Sequence, residues 1–315
     1  MEKILEIKNL NLFFGELQAL YDVNLTLEKG EMYALVGESG CGKTMTAMSV
    51  MRLLPKLAEI RSGEIIFNGN NLLKLSEKQM RNLRGNKIAL IPQDPMTSLN
   101  PLYTVGNQLI ESIREHTHVT SKQAMRKSRE VMDLVRIPDS ASKLNYYPHE
   151  FSGGMKQRII IAMALATNAE LFIADEPTTA LDVTIQKQIM DLLSDIKKEF
   201  NSTILLISHD LALVSNYAEK ISVMYSGHIV EQASAGEFFR NPIHPYSIAL
   251  LNSLPTINPG LKLKTIEGAP PSIQEQISGC KFHPRCDFCR KEICTTESPV
   301  LTERRTNHLS ACLVK

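Results

Sequence analysis

Apolar and polar residues alternate in Leu5-Glu6-Ile7-Lys8 and again in Val23-Asn24-Leu25-Thr26-Leu27. This period of two predicts two strands, each with one buried face. Tyr33–Val36 is a short apolar run, followed by a glycine-rich loop and a helical pattern from Lys43 to Leu54. Ile65–Phe67 leads into Asn68-Gly69 and reads as a strand entering a turn. Ile88–Ile91 predicts another strand. From Val105 to Ala166 the pattern turns helical and strand signals vanish. One helix there starts at Thr120, with Gln123 three residues on as a capping box. Strands then return between helices: Leu171–Ala174, helix Asp182–Glu199, Thr203–Ile207, a short helix from Asp210, Ile221–Tyr225 and His228–Val230. Such alternation predicts an α/β fold with a mainly parallel sheet flanked by helices. The all-helical middle, about residues 94–166, reads as an inserted subdomain.

After about Gln232 two short helices are expected, near Gly236–Arg240 and Tyr246–Leu254. Pro255, Pro259, Gly260, Gly268, Pro270 and Pro271 then punctuate a linker-like segment. A cysteine-rich tail follows, so the expected division is 1–258 and 259–315. At 315 residues, two domains fit the length. Lys+Arg is 35 and Asp+Glu 34, a net charge of +1, so no global basic field for nucleic acid exists. No apolar run reaches the ~18–20 residues of a membrane span. The N-terminal Met-Glu-Lys-Ile-Leu-Glu-Ile-Lys does not read as a signal peptide. The expected address is the cytosol, where cysteines are reduced thiols or metal ligands.

Gly37-Glu38-Ser39-Gly40-Cys41-Gly42-Lys43-Thr44 fits G-x-x-x-x-G-K-[ST]. Glycines let such a loop curl until its backbone N–H groups face phosphates, and the following helix adds its positive end. Lys43 supplies a point charge for the β- and γ-phosphates, and the Thr44 hydroxyl is a Mg²⁺ ligand. Leu171-Phe172-Ile173-Ala174-Asp175-Glu176 is the matching second half, an apolar strand ending in acids. Asp175 would hold Mg²⁺, directly or through water, and Glu176 would act as general base on the attacking water. Cys41, at a helix N-terminus, is expected to be a reactive thiol or a small residue that merely fits.

Phe151-Ser152-Gly153-Gly154-Met155-Lys156-Gln157-Arg158 resembles the signature motif of ABC-transporter ATPases. His209 resembles the switch histidine, Gln93 the Q-loop glutamine, a Mg²⁺ ligand and nucleotide sensor, and Ala180-Leu181-Asp182 the D-loop. Phe14 sits where that family stacks an aromatic ring on adenine, with Phe13 as competitor. The resemblance spans residues 1–235 and implies a P-loop NTPase core. It also implies a head-to-tail pair of ATPase domains. ATP lies between the phosphate loop of one and Ser152-Gly153-Gly154 of the other. Met155 departs from the usual glutamine and is similar to the dipeptide/oligopeptide permease branch, as are Asp94–Pro101 and Asn241–Tyr246.

The tail spacing is Cys280-x5-Cys286-x2-Cys289-x4-Cys294-x17-Cys312. Five thiols there can be buried hydrophobes, a zinc site drawing on Cys286-x2-Cys289 and His283 or His308, or a four-cysteine [4Fe–4S] site. The permease branch implies the cluster, with Cys280, Cys286, Cys294 and Cys312 as ligands and Cys289 as the alternative fourth.

The resemblance implies the ATP-hydrolysing subunit of a dipeptide or oligopeptide importer, peripheral on the cytoplasmic face of the cell membrane. Its expected partners are two transmembrane permease subunits and a second ATPase, paralogue or self. An extracytoplasmic peptide-binding protein would act indirectly, and no nucleic acid is expected. A nickel importer of the same branch and a soluble redox- or metal-sensing ABC ATPase are the alternatives.

Overall fold

The computed structural model describes residues 2–167, 169–179, 181–254 and 265–314. The chain begins with β1 (Lys3–Phe14), β2 (Leu17–Glu28), β3 (Met32–Val36), α1 (Lys43–Met51), β4 (Ala58–Phe67) and β5 (Asn70–Asn71). It continues with α2 (Glu77–Leu83), β6 (Ile88–Ile91), α3 (Pro95–Ser98), α4 (Val105–His116), α5 (Ser121–Leu134), α6 (Ser140–Lys143) and α7 (Gly153–Leu165). Then come β7 (Leu171–Asp175), α8 (Val183–Phe200), β8 (Thr203–Ser208), α9 (Leu211–Val214), β9 (Lys220–Tyr225) and β10 (His228–Ser234). The last elements are α10 (Ala235–Arg240), α11 (Pro245–Asn252), α12 (Lys291–Cys294), β11 (Thr302–Arg305) and β12 (His308–Ser310). Two compact units result, Met1–Leu73 with Ser208–Lys315, and Lys74–Ile207.

In the first unit β1 pairs antiparallel with β2 and with β4, and β5 adds to β4. The short turn at Gly15 and Glu16 leaves β1 and β2 no other arrangement, because parallel neighbours need a long crossover. Leu5, Ile7, Leu10 and Leu12 of β1 are buried. Their spacing skips between Ile7 and Leu10, where the register shifts and Asn9 takes a φ of 47°. That bulge is why the alternating pattern in the sequence stops short of the strand's full length.

β3 pairs parallel with β9, β10 returns antiparallel to β9, and β12 and β11 follow antiparallel beyond β10. The mainly parallel sheet expected from the sequence therefore needs correcting. Parallel pairing holds for β3 with β9 and among β6, β7 and β8, while the other described ladders are antiparallel. β11 and β12 come from the cysteine-rich tail and were not expected. Glu231 of β10 anchors them, accepting from His308 Nε2 at 2.6 Å and from the backbone N–H groups of Ile243 and His244, each at 2.8 Å.

In the second unit β6, β7 and β8 form parallel ladders, with Ile88 opposite Leu171 and Leu171 opposite Thr203. β7 and β8 are buried throughout, which accounts for their continuous apolar runs. Among the described residues no strand lies between Ile91 and Leu171, in keeping with the helical reading of that stretch. α4, α5 and α7 pack against one another there. The Thr120 capping box forms as expected: its side chain accepts from Gln123 N–H, and Gln123 Oε1 accepts from Thr120 N–H at 2.8 Å. No helix among the described residues is long and apolar enough to cross a membrane.

Candidate active site

In the first unit the loop Gly37–Thr44 links β3 to α1, the strand–loop–helix context expected of it. Two glycines dictate its path. Gly37 has a φ of +153°, and a Cβ there would stand 2.2 Å from Met224 O; Gly42 has a φ of +109°, with Leu20 Cδ2 at 2.8 Å from such a Cβ. The Lys43 ammonium is buried and donates to the carbonyls of Gly37 at 2.8 Å and Glu38 at 3.0 Å. It is thus held over the loop rather than extended into solvent. Thr44 lies in the first turn of α1. Cys41 is buried, and burial pushes its thiol pKa up, outweighing nearby Lys43. The reactive-thiol reading of Cys41 is therefore corrected: desolvation of the thiolate prevails over the helix end.

The loop borders a cavity of about 410 Å³ within this unit, a size suited to a nucleotide. Ser39, Gly40, Cys41 and Gly42 line it, together with Phe14 and Tyr21. Phe13 is not in that lining; its ring lies under the Arg61 guanidinium, 4.3 Å from the ring centroid. Geometry thus favours Phe14 over Phe13 as the ring that faces a base. Pro270, Ile273 and Lys281 of the C-terminal segment also line the cavity.

That segment reaches the loop more directly through Arg285. Its guanidinium donates to Glu38 Oε2 at 2.7 Å and Oε1 at 3.0 Å, and to the carbonyls of Glu267 and Gly268, each at 3.0 Å. The carboxylate beside it holds the Arg285 pKa above its usual value. Glu38 N–H donates to Tyr246 Oη at 2.9 Å. His209 follows β8 and is exposed, and the next residue, Asp210, caps α9 by accepting from Leu213 N–H at 2.9 Å.

In the second unit Asp175 ends β7 and is buried, and Glu176 follows it. Glu176 has a φ of 47°, a left-handed conformation uncommon for a residue other than glycine. Its Oε2 accepts from Gln93 Nε2 at 3.1 Å and from Thr179 Oγ1 at 2.9 Å. Gln93 and Glu176, expected as a glutamine sensor and a base, are therefore brought together. Thr179 was missed, because its role rests on the sharp turn at Glu176 and leaves no motif. Ser152 caps α7, accepting from Met155 N–H, and a Cβ on Gly154 would stand 2.6 Å from Ile185 Cγ2. Ser152, Gly153 and Gly154 thus form the helix N-terminus that the signature reading requires. Asp182 caps α8, while Ala180 of the expected D-loop lies outside the described residues. Pro255, Pro259, Gly260 and the expected 258/259 boundary lie outside them too.

In the tail, Cys294 and Cys312 are buried and Cys280, Cys286 and Cys289 half-buried, and none is in a disulfide. Burial raises the thiol pKa of Cys280 and takes that of Cys286 up to about 11, with neighbouring cysteines adding to both. Among the described residues, no three His, Cys, Asp or Glu side chains are grouped to hold a metal ion. That gives no support to the four-ligand set expected of Cys280, Cys286, Cys294 and Cys312, or with Cys289. Cys280 N–H instead donates to Cys294 O at 2.9 Å, so backbone contacts hold these turns together.

Residues 20–179 match the ABC transporter family model, and residues 230–294 match the C-terminal region of the oligopeptide/dipeptide transporter family. The chain belongs to the ATP-binding subunits of oligopeptide and dipeptide ABC importers. It is similar to a probable peptide ABC transporter ATP-binding protein of Sinorhizobium fredii, 50% identical over 98% of this chain and 94% of the relative. It is also similar to the oligopeptide transport ATP-binding protein OppD of Escherichia coli, 44% identical over 99% of this chain and 93% of the relative. Among solved structures it resembles a dimeric ATP-binding cassette in a post-hydrolysis state with ADP and Pi. That match has a TM-score of 0.66 at 25% identity and covers 74% of this chain and 99% of the other. As a member of this family the ATP-binding subunit has the α/β fold of the P-loop ATPases and couples ATP hydrolysis to peptide import. The peptide reading thus stands ahead of the nickel and redox-sensing alternatives.

Proposed function

We propose that ATP binds with its base against Phe14 and its phosphates along Gly37, Glu38, Ser39, Gly40, Cys41, Gly42, Lys43 and Thr44. Lys43 holds the β- and γ-phosphates. Thr44, Gln93 and Asp175 offer the oxygen donors that Mg²⁺ takes, and the donor chemistry fits that ion. A Mg²⁺ ion held by these residues would neutralise charge on the phosphate oxygens. Glu176 polarises the attacking water and takes its proton, with Gln93 and Thr179 fixing the carboxylate and His209 acting at the γ-phosphate. Ser152, Gly153 and Gly154 complete the site of a second ATPase subunit in a head-to-tail pair, self or paralogue. The observation that carries this reading is the convergence of Gln93 and Thr179 on one oxygen of Glu176.

The pair would sit peripherally on the cytoplasmic face of the membrane and drive two permease subunits, with an extracytoplasmic peptide-binding protein delivering cargo. Support comes from relatives named for oligopeptide and dipeptide transport. Glu176→Gln tests the assignment: it keeps ATP binding and accumulates an ATP-bound dimer on size-exclusion chromatography. Parental turnover by that variant would overturn it. Lys43→Ala separately abolishes nucleotide binding if the loop assignment is right.

The tail supports a second, finer reading, a [4Fe–4S] cluster on Cys280, Cys286, Cys294 and Cys312, with Cys289 in reserve and Zn²⁺ as alternative. Thiolate sulfur suits both groups, and the thiols lie close enough for Cys280 to feel Cys294 and Cys312. A cluster would supply folding free energy to the segment. Protein purified without oxygen should be brown, with matched iron and sulfide. One zinc and no colour would favour the zinc site, and neither would remove both.

A further inference from the structure

Glu38 places a carboxylate in a loop read as the cradle of a polyanion. A negative charge there opposes the ligand unless a cation answers it. Arg285, 247 positions away, answers it with two parallel hydrogen bonds. Only 7% of the Arg285 side chain is exposed, so water screens the pair weakly. The guanidinium is fixed from behind by the carbonyls of Glu267 and Gly268. Its backbone is fixed as well. Phe282, three residues earlier, is buried between Tyr225 and Tyr246, with ring centroids 5.2 and 5.3 Å away. Tyr246 in turn accepts from Glu38 N–H. The same Glu38 is thus held at its backbone and at its carboxylate by groups that pack around one C-terminal ring.

We propose that Arg285 is a positioning residue of the nucleotide site, holding and neutralising Glu38 so that the phosphate loop meets the triphosphate with net positive charge. The C-terminal segment, which no sequence motif connects to catalysis, then forms a working part of the ATP site. The inference rests on the reading that Gly37–Thr44 binds the phosphates. It requires Arg rather than Lys, because the two carboxylate oxygens and two carbonyls need a planar fork with several fixed donors.

The test is equilibrium binding of fluorescent ATP and ADP analogues to the full subunit, with kcat and KM measured alongside. Arg285→Ala should raise the Kd for ATP by about tenfold or more, as expected for a buried charge left unpaired. The rise should be larger for ATP than for ADP, because repulsion scales with ligand charge. In steady state the loss should fall on KM. Adding Glu38→Gln to Arg285→Ala should recover most of the affinity, which a merely structural role for Arg285 would not allow. A parental Kd in Arg285→Ala, or a double variant as weak as the single one, overturns the proposal. Should Arg285→Ala fail to fold, Glu38→Gln alone decides: with Arg285 kept and the carboxylate gone, the Kd for ATP falls, and a rise overturns the proposal. Lys43→Ala separates the two levels. ATP affinity retained in that variant would sink the phosphate-loop reading itself, whatever Arg285 does.

Discussion

Gln93 Nε2 donates to Glu176 Oε2 at 3.1 Å, joining the end of β6 to the residue after β7. β6 and β7 are parallel neighbours in register from Ile88 and Leu171 to Ile91 and Ala174, so their C-terminal ends open on the same side. That is where ligands bind in open α/β sheets. On the proposed reading, this hydrogen bond makes Gln93 an orienter of the base as well as a sensor of the nucleotide. Thr179 Oγ1 donates to the same oxygen at 2.9 Å, so two side chains fix the position of the Glu176 carboxylate.

Removing one of these two donors should therefore cost chemistry more than binding. Thr179→Val keeps the shape and loses the hydroxyl. Its kcat should drop by about tenfold to a hundredfold, roughly the worth of one hydrogen bond to a charged group, with little change in KM. Phosphate release at saturating ATP is the measurement. A parental kcat would mean that the turn at Glu176, not Thr179, sets the carboxylate.

The phosphate loop makes a steric prediction at Gly37. An added methyl would stand 2.2 Å from Met224 O on a backbone that L side chains rarely adopt. Gly37→Ala should lower stability by more than about 1 kcal/mol and sharply weaken ATP binding, because either the loop or β9 must move. Urea unfolding and nucleotide binding check it together. Parental values in both would show that the loop has room to shift.

Cys41 should react more slowly than Cys289. Both thiols have raised pKa values, but Cys41 is also buried, which keeps the reagent from its sulfur. With iodoacetamide at pH 7.5, the half-buried Cys289 should be modified at least about tenfold faster than Cys41, followed site by site by mass spectrometry. Equal or faster labelling of Cys41 would show that the loop opens to solvent more readily than its packing suggests.

What was legible in the sequence follows from how its chemistry is distributed. The phosphate loop, the acids after β7 and the Ser152 cap are each contiguous, so spacing alone exposes them. The buried strands β6, β7 and β8 are legible as apolar runs because both faces are covered. β11 is illegible for the opposite reason. Thr302-Glu303-Arg304-Arg305 is exposed throughout, and only its pairing with β12 makes it a strand. Thr179 is illegible because its contact depends on a local left-handed turn at Glu176, and Arg285 because tertiary packing brings it to a partner 247 positions away.

Two histidines, His244 buried and His228 half-buried, set the acid side of stability. His244 Nδ1 accepts from Tyr246 N–H at 3.1 Å and caps α11, which needs a neutral ring; burial takes its pKa down to about 3. His228 is stacked on Tyr21, with ring centroids 4.2 Å apart, and burial takes its pKa down to about 4. In the unfolded chain both return to about 6.5. The unfolded state thus binds more protons below that pH, so this stability is present above about pH 6.5 and drains away as pH falls towards 4 and then 3. Each histidine contributes a slope of about 1.4 kcal/mol per pH unit inside its window. Urea unfolding at pH 7.5 and 5.0 should show a clear loss in the parent. His244→Gln keeps an acceptor for the cap but cannot take up the proton, so its loss should be roughly half as large. Equal losses in the two proteins would mean that His244 is not held neutral by the fold.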